Sequence, residues 1–152
     1  MYNFPIGVIT DSFRLPFEES VKKAAEIGAK GIQMYAVSGD MAPEALTFSR
    51  RKEVLDIIKS NGLVVSALCG DFGRGFGDPK LNPDLIERSK KVVDLALDLD
   101  TNIVTTHIGV VPEDKNHPRY KIMQEACYEL AKYADSVGAH FAVETGPERA
   151  IV

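Results

Sequence analysis

A parallel α/β fold is what this 152-residue sequence predicts, and two observations predict it. Short apolar runs rich in β-branched residues alternate with longer stretches of helical periodicity, the pattern of successive strand-helix units. The helix-to-strand junctions fall at Gly28, Gly62, Asp100 and Gly138, which are 34, 38 and 38 residues apart. Repetition at that period makes each unit one βα pair, and strands joined by crossover helices lie parallel in one sheet.

Ile6 to Thr10 is a β-branched run ending in Asp11-Ser12 and reads as the first strand. From Pro16 the pattern is helical, with Phe17, Val21, Ala24 and Ala25 on one face and Gly28 as the stop. Glu18 and Glu19 fall in its first turn, where they suit the positive end of the helix dipole. Gly31 to Ala36 is the second strand, and a loop through Gly39, Asp40 and Pro43 leads to a helix with Val54, Leu55 and Ile58 inward, closed by Asn61-Gly62. Leu63 to Leu68 is the third strand. Cys69 to Pro83 is a long irregular segment in which Gly70, Gly73, Gly75 and Gly77 surround Phe72, Arg74 and Phe76; long loops in compact domains are usually functional or mobile. Asn82 as N-cap and Pro83 at N1 open the third helix, whose inner face is Leu85, Ile86, Ser89, Val92, Val93 and Ala96. Asn102 to Thr106 is the fourth strand. His107, a loop with Pro112 and Pro118, and a helix carrying Met123, Ala126, Cys127, Leu130, Ala134 and Val137 follow. Gly138 ends that helix, and Ala139 to Val143 is a fifth strand that delivers Glu144 into a Thr-Gly-Pro turn.

Composition narrows the function classes. With 45% hydrophobic residues the chain can build one domain around a sizeable core, spanning 1–152. The net charge is −4 and no basic stripe is concentrated enough to neutralise a phosphate backbone, so nucleic-acid binding is not expected. Cys69 and Cys127 lie in different settings and form no CxxC pair, which fits a reducing cytoplasm. The N-terminus lacks a basic region followed by an apolar core, and no run is long enough for a bilayer, so neither export nor membrane insertion is expected.

In parallel α/β folds ligands gather at the carboxyl ends of the strands. Those ends hold Asp11, Gln33 with Tyr35, Cys69 with Asp71, His107, and Glu144 with Glu148. Taken singly, each has a structural reading: Asp11 and Asp71 as turn or cap residues, His107 as a histidine bonded beneath a loop, Glu144 as an acceptor for turn N–H groups. A carboxylate and an imidazole presented alike by neighbouring strands shift the reading toward a site. Four βα units and a fifth strand fit either a partial TIM barrel or a doubly wound open sheet; no G-x-G-x-x-G follows the first strand, as a dinucleotide fold would want.

Three segments carry a specific resemblance: Gly62-Leu-Val-Val-Ser-Ala-Leu-Cys-Gly-Asp-Phe-Gly, Val104-Thr-Thr-His-Ile-Gly and Ala142-Val-Glu-Thr-Gly-Pro-Glu. They resemble the third, fourth and fifth strands of the sugar phosphate isomerase/epimerase family, the xylose isomerase-like TIM barrels, which also include endonuclease IV-type DNA repair enzymes. The resemblance implies an incomplete barrel of four βα units plus a fifth strand, about five-eighths of the family's fold. It implies a metal-dependent sugar or sugar-phosphate isomerase or epimerase using Mn²⁺, Mg²⁺ or Zn²⁺. Glu144 matches the strand-five glutamate that binds metal and transfers a proton, and His107 matches the strand-four histidine that ligates metal in the endonuclease branch. His107, Asp71, Arg74, Cys69 and Glu148 are the substrate-binding candidates. The endonuclease branch has a strand-three histidine where this chain has Cys69 to Asp71, which weighs against a phosphodiesterase, the enzyme alternative. The family's other ligands, an Asp, a His and a second Glu, come from later strands. The expectation is therefore a piece of a longer protein, or a barrel piece that self-associates, with a homo-oligomer expected and the isolated chain inactive.

Overall fold

The computed structural model of the chain describes residues 4–144 and Gly146. Five parallel strands form one sheet in the order β1-β2-β3-β4-β5: β1 (Gly7–Ile9), β2 (Gly31–Tyr35), β3 (Val64–Cys69), β4 (Ile103–His107) and β5 (His140–Glu144). Between them run α1 (Phe17–Glu26), α2 (Phe48–Ser60), α3 (Asn82–Asp98) and α4 (Pro118–Val137). Each strand thus pairs with the strand before it in the chain, the order of a barrel wall, whereas a doubly wound sheet reverses direction part-way. No helix among the described residues is long and apolar enough to cross a membrane.

The helices cover one face of the sheet. Val21 and Ala24 of α1, Val54 and Ile58 of α2, and Val92, Val93 and Ala96 of α3 close over Ile32, Met34, Val65, Leu68 and Val104, all buried in one apolar cluster. Alternation along the strands then sends the other set to the uncovered face: on β4, Val104 and Thr106 are buried while His107 is exposed. The four helix stops behave as expected. Gly28, Gly62 and Gly138 take φ of 86°, 72° and 77°, and Asp100 does the same job at 61°.

Several boundaries depart from the sequence reading, the first and second strands being shorter, at Gly7–Ile9 and Gly31–Tyr35. The third, fourth and fifth strands each end one residue later than the apolar runs, on Cys69, His107 and Glu144. Pairing continues past the apolar residues because backbone bonds persist there, Gly70 N–H to Thr105 O at 2.8 Å among them. Asn82 is not the N-cap but the first helical residue, following Leu81; its side-chain amide donates to Phe76 O at 3.0 Å and so tethers the loop before it.

That loop is anchored rather than loose. Phe76 is 2% exposed, lies edge-on to Phe141 with centroids 6.4 Å apart, and belongs to a second apolar cluster with Ile86, Ile108, Met123 and Leu130. Its N–H donates to Ile108 O at 2.9 Å, binding the loop after β3 to the loop after β4. Arg88 stacks on Phe72 with its guanidinium 4.2 Å from the ring centroid. Gly75 sits where the two loops touch, at φ 62°, and a Cβ there would meet Ile108 O at 2.7 Å and Gly109 Cα at 2.9 Å. Gly75→Ala is expected to lower the unfolding free energy by about 3 kcal/mol, from left-handed strain plus overlap with backbone that cannot step aside. Gly28→Ala, with φ 86° but nothing within 4 Å of the new Cβ, should cost only about 1 kcal/mol. Denaturant midpoints of the two variants check the contrast.

Candidate active site

Register brings the functional side chains into two rows. Tyr35 pairs with Cys69, Cys69 with Thr105 and Thr105 with Ala142, while one step further out His107 pairs with Glu144. In parallel strands paired residues project side by side, so these rows cross the sheet at its carboxyl end. Gln33 reaches over Ala67 of β3 to donate from Nε2 to Thr105 Oγ1 at 2.8 Å, tying β2 to β4 beneath the outer row.

The outer row is a line of Asp71, His107 and Glu144. Asp71 follows β3 by two residues; its Oδ1 accepts the Gly73 N–H at 2.7 Å, and its Oδ2 lies 3.0 Å from His107 Nδ1. On the other side of the ring, His107 Nε2 is 3.4 Å from Glu144 Oε2. Exposure rises along the line: the side chains of Asp71, His107 and Glu144 are 19%, 52% and 70% exposed. Asp71 is therefore the fixed end and Glu144 the end open to a ligand. With Nδ1–H donated to Asp71, a neutral ring turns its Nε2 lone pair toward Glu144, so two lone pairs face each other. A proton or a cation between them would relieve that.

The inner row is uncharged at neutral pH. Burial raises the Cys69 thiol above its usual range, against the lowering effect of a hydrogen bond from the Asp71 backbone. The Tyr35 hydroxyl is raised as well, first by negative charge at Cys69 and then by burial. Both are hydrogen-bonding groups there, not nucleophiles.

Of the residues singled out in the sequence, Asp71, His107 and Glu144 come together, and Cys69 lies beside them in the next row. Asp11 ties its turn to β2, accepting the Tyr35 N–H at 3.1 Å. Arg74 is exposed on the loop, and among the described residues no hydrogen bond or ion pair joins it to the line. Glu148 lies outside the described residues. Sequence reasoning missed the Gln33–Thr105 bridge and Arg119, which packs against Gly77 and Gly109. Arg119 had a signal: a cation in the first turn of a helix sits at the wrong end of the dipole and calls for a reason.

A family model described as xylose isomerase-like TIM barrel matches residues 21–151. The chain belongs to that family. No curated protein matches it. Among solved structures, the family fold recurs in a xylose isomerase domain protein from Planctomyces limnophilus with a TM-score of 0.79 at 22% identity, covering 97% of this chain and 56% of that one. A D-psicose 3-epimerase crystallised in the presence of D-fructose matches at TM-score 0.70 and 14% identity over 92% of this chain and 52% of that one. A xylose isomerase-like TIM barrel protein from Mycobacterium smegmatis in complex with magnesium matches at 0.68 and 18%, over 94% and 56%. At these identities the likeness is one of fold. The chain spans little more than half the length of each neighbour.

The Mycobacterium smegmatis neighbour is solved in complex with magnesium, so the donor set can be tested against a metal. Among the described residues no three His, Cys, Asp or Glu side chains converge on one point. Asp71 meets the ring at Nδ1 and Glu144 at Nε2, so the imidazole stands between the two carboxylates. His107 Nε2 and Glu144 Oε2, at 3.4 Å, do have the spacing of two adjacent ligands on one divalent ion, with bonds of about 2.1 Å. The residues present fit as part of a coordination shell.

Proposed function

We propose that these strand ends form one side of the active site of a sugar or sugar-phosphate isomerase or epimerase. The observation that carries it is the Asp71–His107–Glu144 line, in which a fixed carboxylate orients an imidazole against an open one at the end of β5. Glu144 would take the proton from the carbon next to the substrate's carbonyl. The C–H electron pair then moves to form the C=C bond of an enediolate, and the carbonyl pair moves onto oxygen. Return of the proton to the neighbouring carbon, with the hydroxyl proton passing to the former carbonyl oxygen, completes an isomerisation, and delivery of a proton to the opposite face of the same carbon completes an epimerisation.

His107 and Glu144 would be the ligands this chain gives to a divalent ion, Mn²⁺, Mg²⁺ or Zn²⁺, with Asp71 holding the histidine tautomer from behind. Such an ion supplies polarisation of the substrate's oxygens and stabilises charge developing on them. Cys69 and Tyr35 would bind substrate hydroxyls from the inner row, and Arg74 would rim the site from the loop. The neighbours named for sugars and for magnesium support this reading.

The test is deuterium exchange. Protein expressed from its complete reading frame, supplied with Mn²⁺ or Mg²⁺ and a panel of ketoses and their phosphate esters in D₂O, should incorporate deuterium at the carbon beside the carbonyl. Absence of exchange across the panel, with metal bound, would remove the isomerase reading. Nicking of abasic DNA in its place would point to phosphodiester chemistry.

A further inference from the structure

Most partly covered arginines in this chain have a carboxylate: Arg50, Arg51 and Arg88 reach one at 2.8, 2.6 and 3.7 Å. Arg14 and Arg74 lie exposed, where water serves. Arg119 is different. Its side chain is partly buried, it joins no ion pair among the described residues, and its Nε is sealed from solvent without a hydrogen-bond partner. An unmet buried N–H is costly, and more so on a charged group. The position adds to the cost, because Arg119 follows Pro118 in the first turn of α4, where the helix dipole repels a cation and no acidic residue offsets it.

Space for this arginine has been left by two loops. A Cβ at Gly77, on the loop after β3, would overlap the guanidinium, and one at Gly109, two residues past His107, would come within 3.3 Å of a terminal nitrogen. The guanidinium is thus clamped by packing between the loops that follow β3 and β4, with no counter-charge among the described residues. The same loops are locked together by the Phe76 to Ile108 backbone bond. Fixing a fork of N–H donors in advance and leaving its charge unanswered is how an oxyanion is received.

We propose that Arg119 receives an anionic group of the substrate, a phosphate ester or a carboxylate at the end of the sugar remote from the carbonyl. The proposal rests on the sugar reading of the adjoining line and names which sugars: acidic ones. Bidentate contact from the outer nitrogens would hold that end while the carbonyl end lies at Glu144.

The experiment uses ¹⁵N-labelled protein titrated with inorganic phosphate, and separately with malonate, at ionic strength held constant with NaCl. Saturable shifts of the Gly77 and Gly109 amides are expected, and whichever anion binds more tightly distinguishes ester from acid. Arg119→Gln should weaken binding at least tenfold, while Arg14→Gln, a charge change elsewhere, should leave it alone. Equal affinity in Arg119→Gln, or shifts that chloride reproduces, would overturn the proposal. If that variant fails to fold, Arg119→Lys decides, since it keeps the charge and loses the fork: affinity at least threefold lower supports the assignment, and undiminished affinity sinks it. Sugar exchange separates this claim from the one beneath it. Equal rates for a neutral ketose and its phosphate ester, both untouched by Arg119→Gln, would keep the isomerase and remove the anion. Arg119-dependent phosphate binding without exchange of any sugar would keep the anion site and remove the isomerase.

Discussion

Glu144→Gln is expected to lower turnover by about 10³-fold or more in protein that exchanges deuterium into a ketose, since a positioned acid–base group contributes on that scale. The change is nearly isosteric, and Glu144 is 70% exposed, so folding should be unaffected. What disappears is the proposed proton acceptor together with one charge opposite His107 Nε2. His107→Ala should be milder, about 10- to 100-fold, in keeping with loss of a ligand or its orienting bond. Steady-state kinetics, melting temperature and bound metal measured on the same samples check both. Near-normal turnover in Glu144→Gln with metal still bound would return Glu144 to a structural turn residue.

The purified 152-residue chain is expected to self-associate. Among the described residues β1 and β5 each pair on one side only, leaving rows of N–H and C=O groups on both flanks. Apolar side chains accompany them: Ile6 just before β1 is 62% exposed, Ile9 on β1 39% and Val143 on β5 46%. Unpaired edges beside uncovered apolar groups favour association, so sedimentation at micromolar concentration should find a dimer or larger species, or else a dye-binding, poorly packed monomer. A concentration-independent monomer with a sharp melt would show that five strands suffice as an open sheet.

Periodicity carried most of the fold, because each βα unit repeats the same local chemistry. Gly28, Gly62 and Gly138 announced the helix ends, and Asp100 was placed by spacing and confirmed by its φ of 61°. Glu144, His107 and Asp71 were legible as strand-end residues. Their contact was not, since it depends on register between β3, β4 and β5, and a lateral offset of one residue would have turned His107 toward the helices. The offset between Ile32 and Gln33 in the β2–β3 pairing is likewise invisible in the sequence, yet it helps decide that Tyr35 meets Cys69. Asn82 misled because Asn before Pro is a capping signal, whereas its amide is taken by Phe76. Arg119 was passed over because its meaning comes from what two distant glycines omit.

The strand order bears on how the molecule is made. Every strand docks on the one synthesised just before it, so each addition closes a loop of similar length, and closure entropy varies little from step to step because it grows only with the logarithm of loop length. A chain leaving the ribosome can therefore assemble vectorially, with no strand waiting for a distant partner. The line of Asp71, His107 and Glu144 lies along the late end of that sequence. Its first two members can meet once β4 docks, but the open carboxylate arrives only with β5. A nascent chain would thus hold a settled core before Glu144 came to face His107.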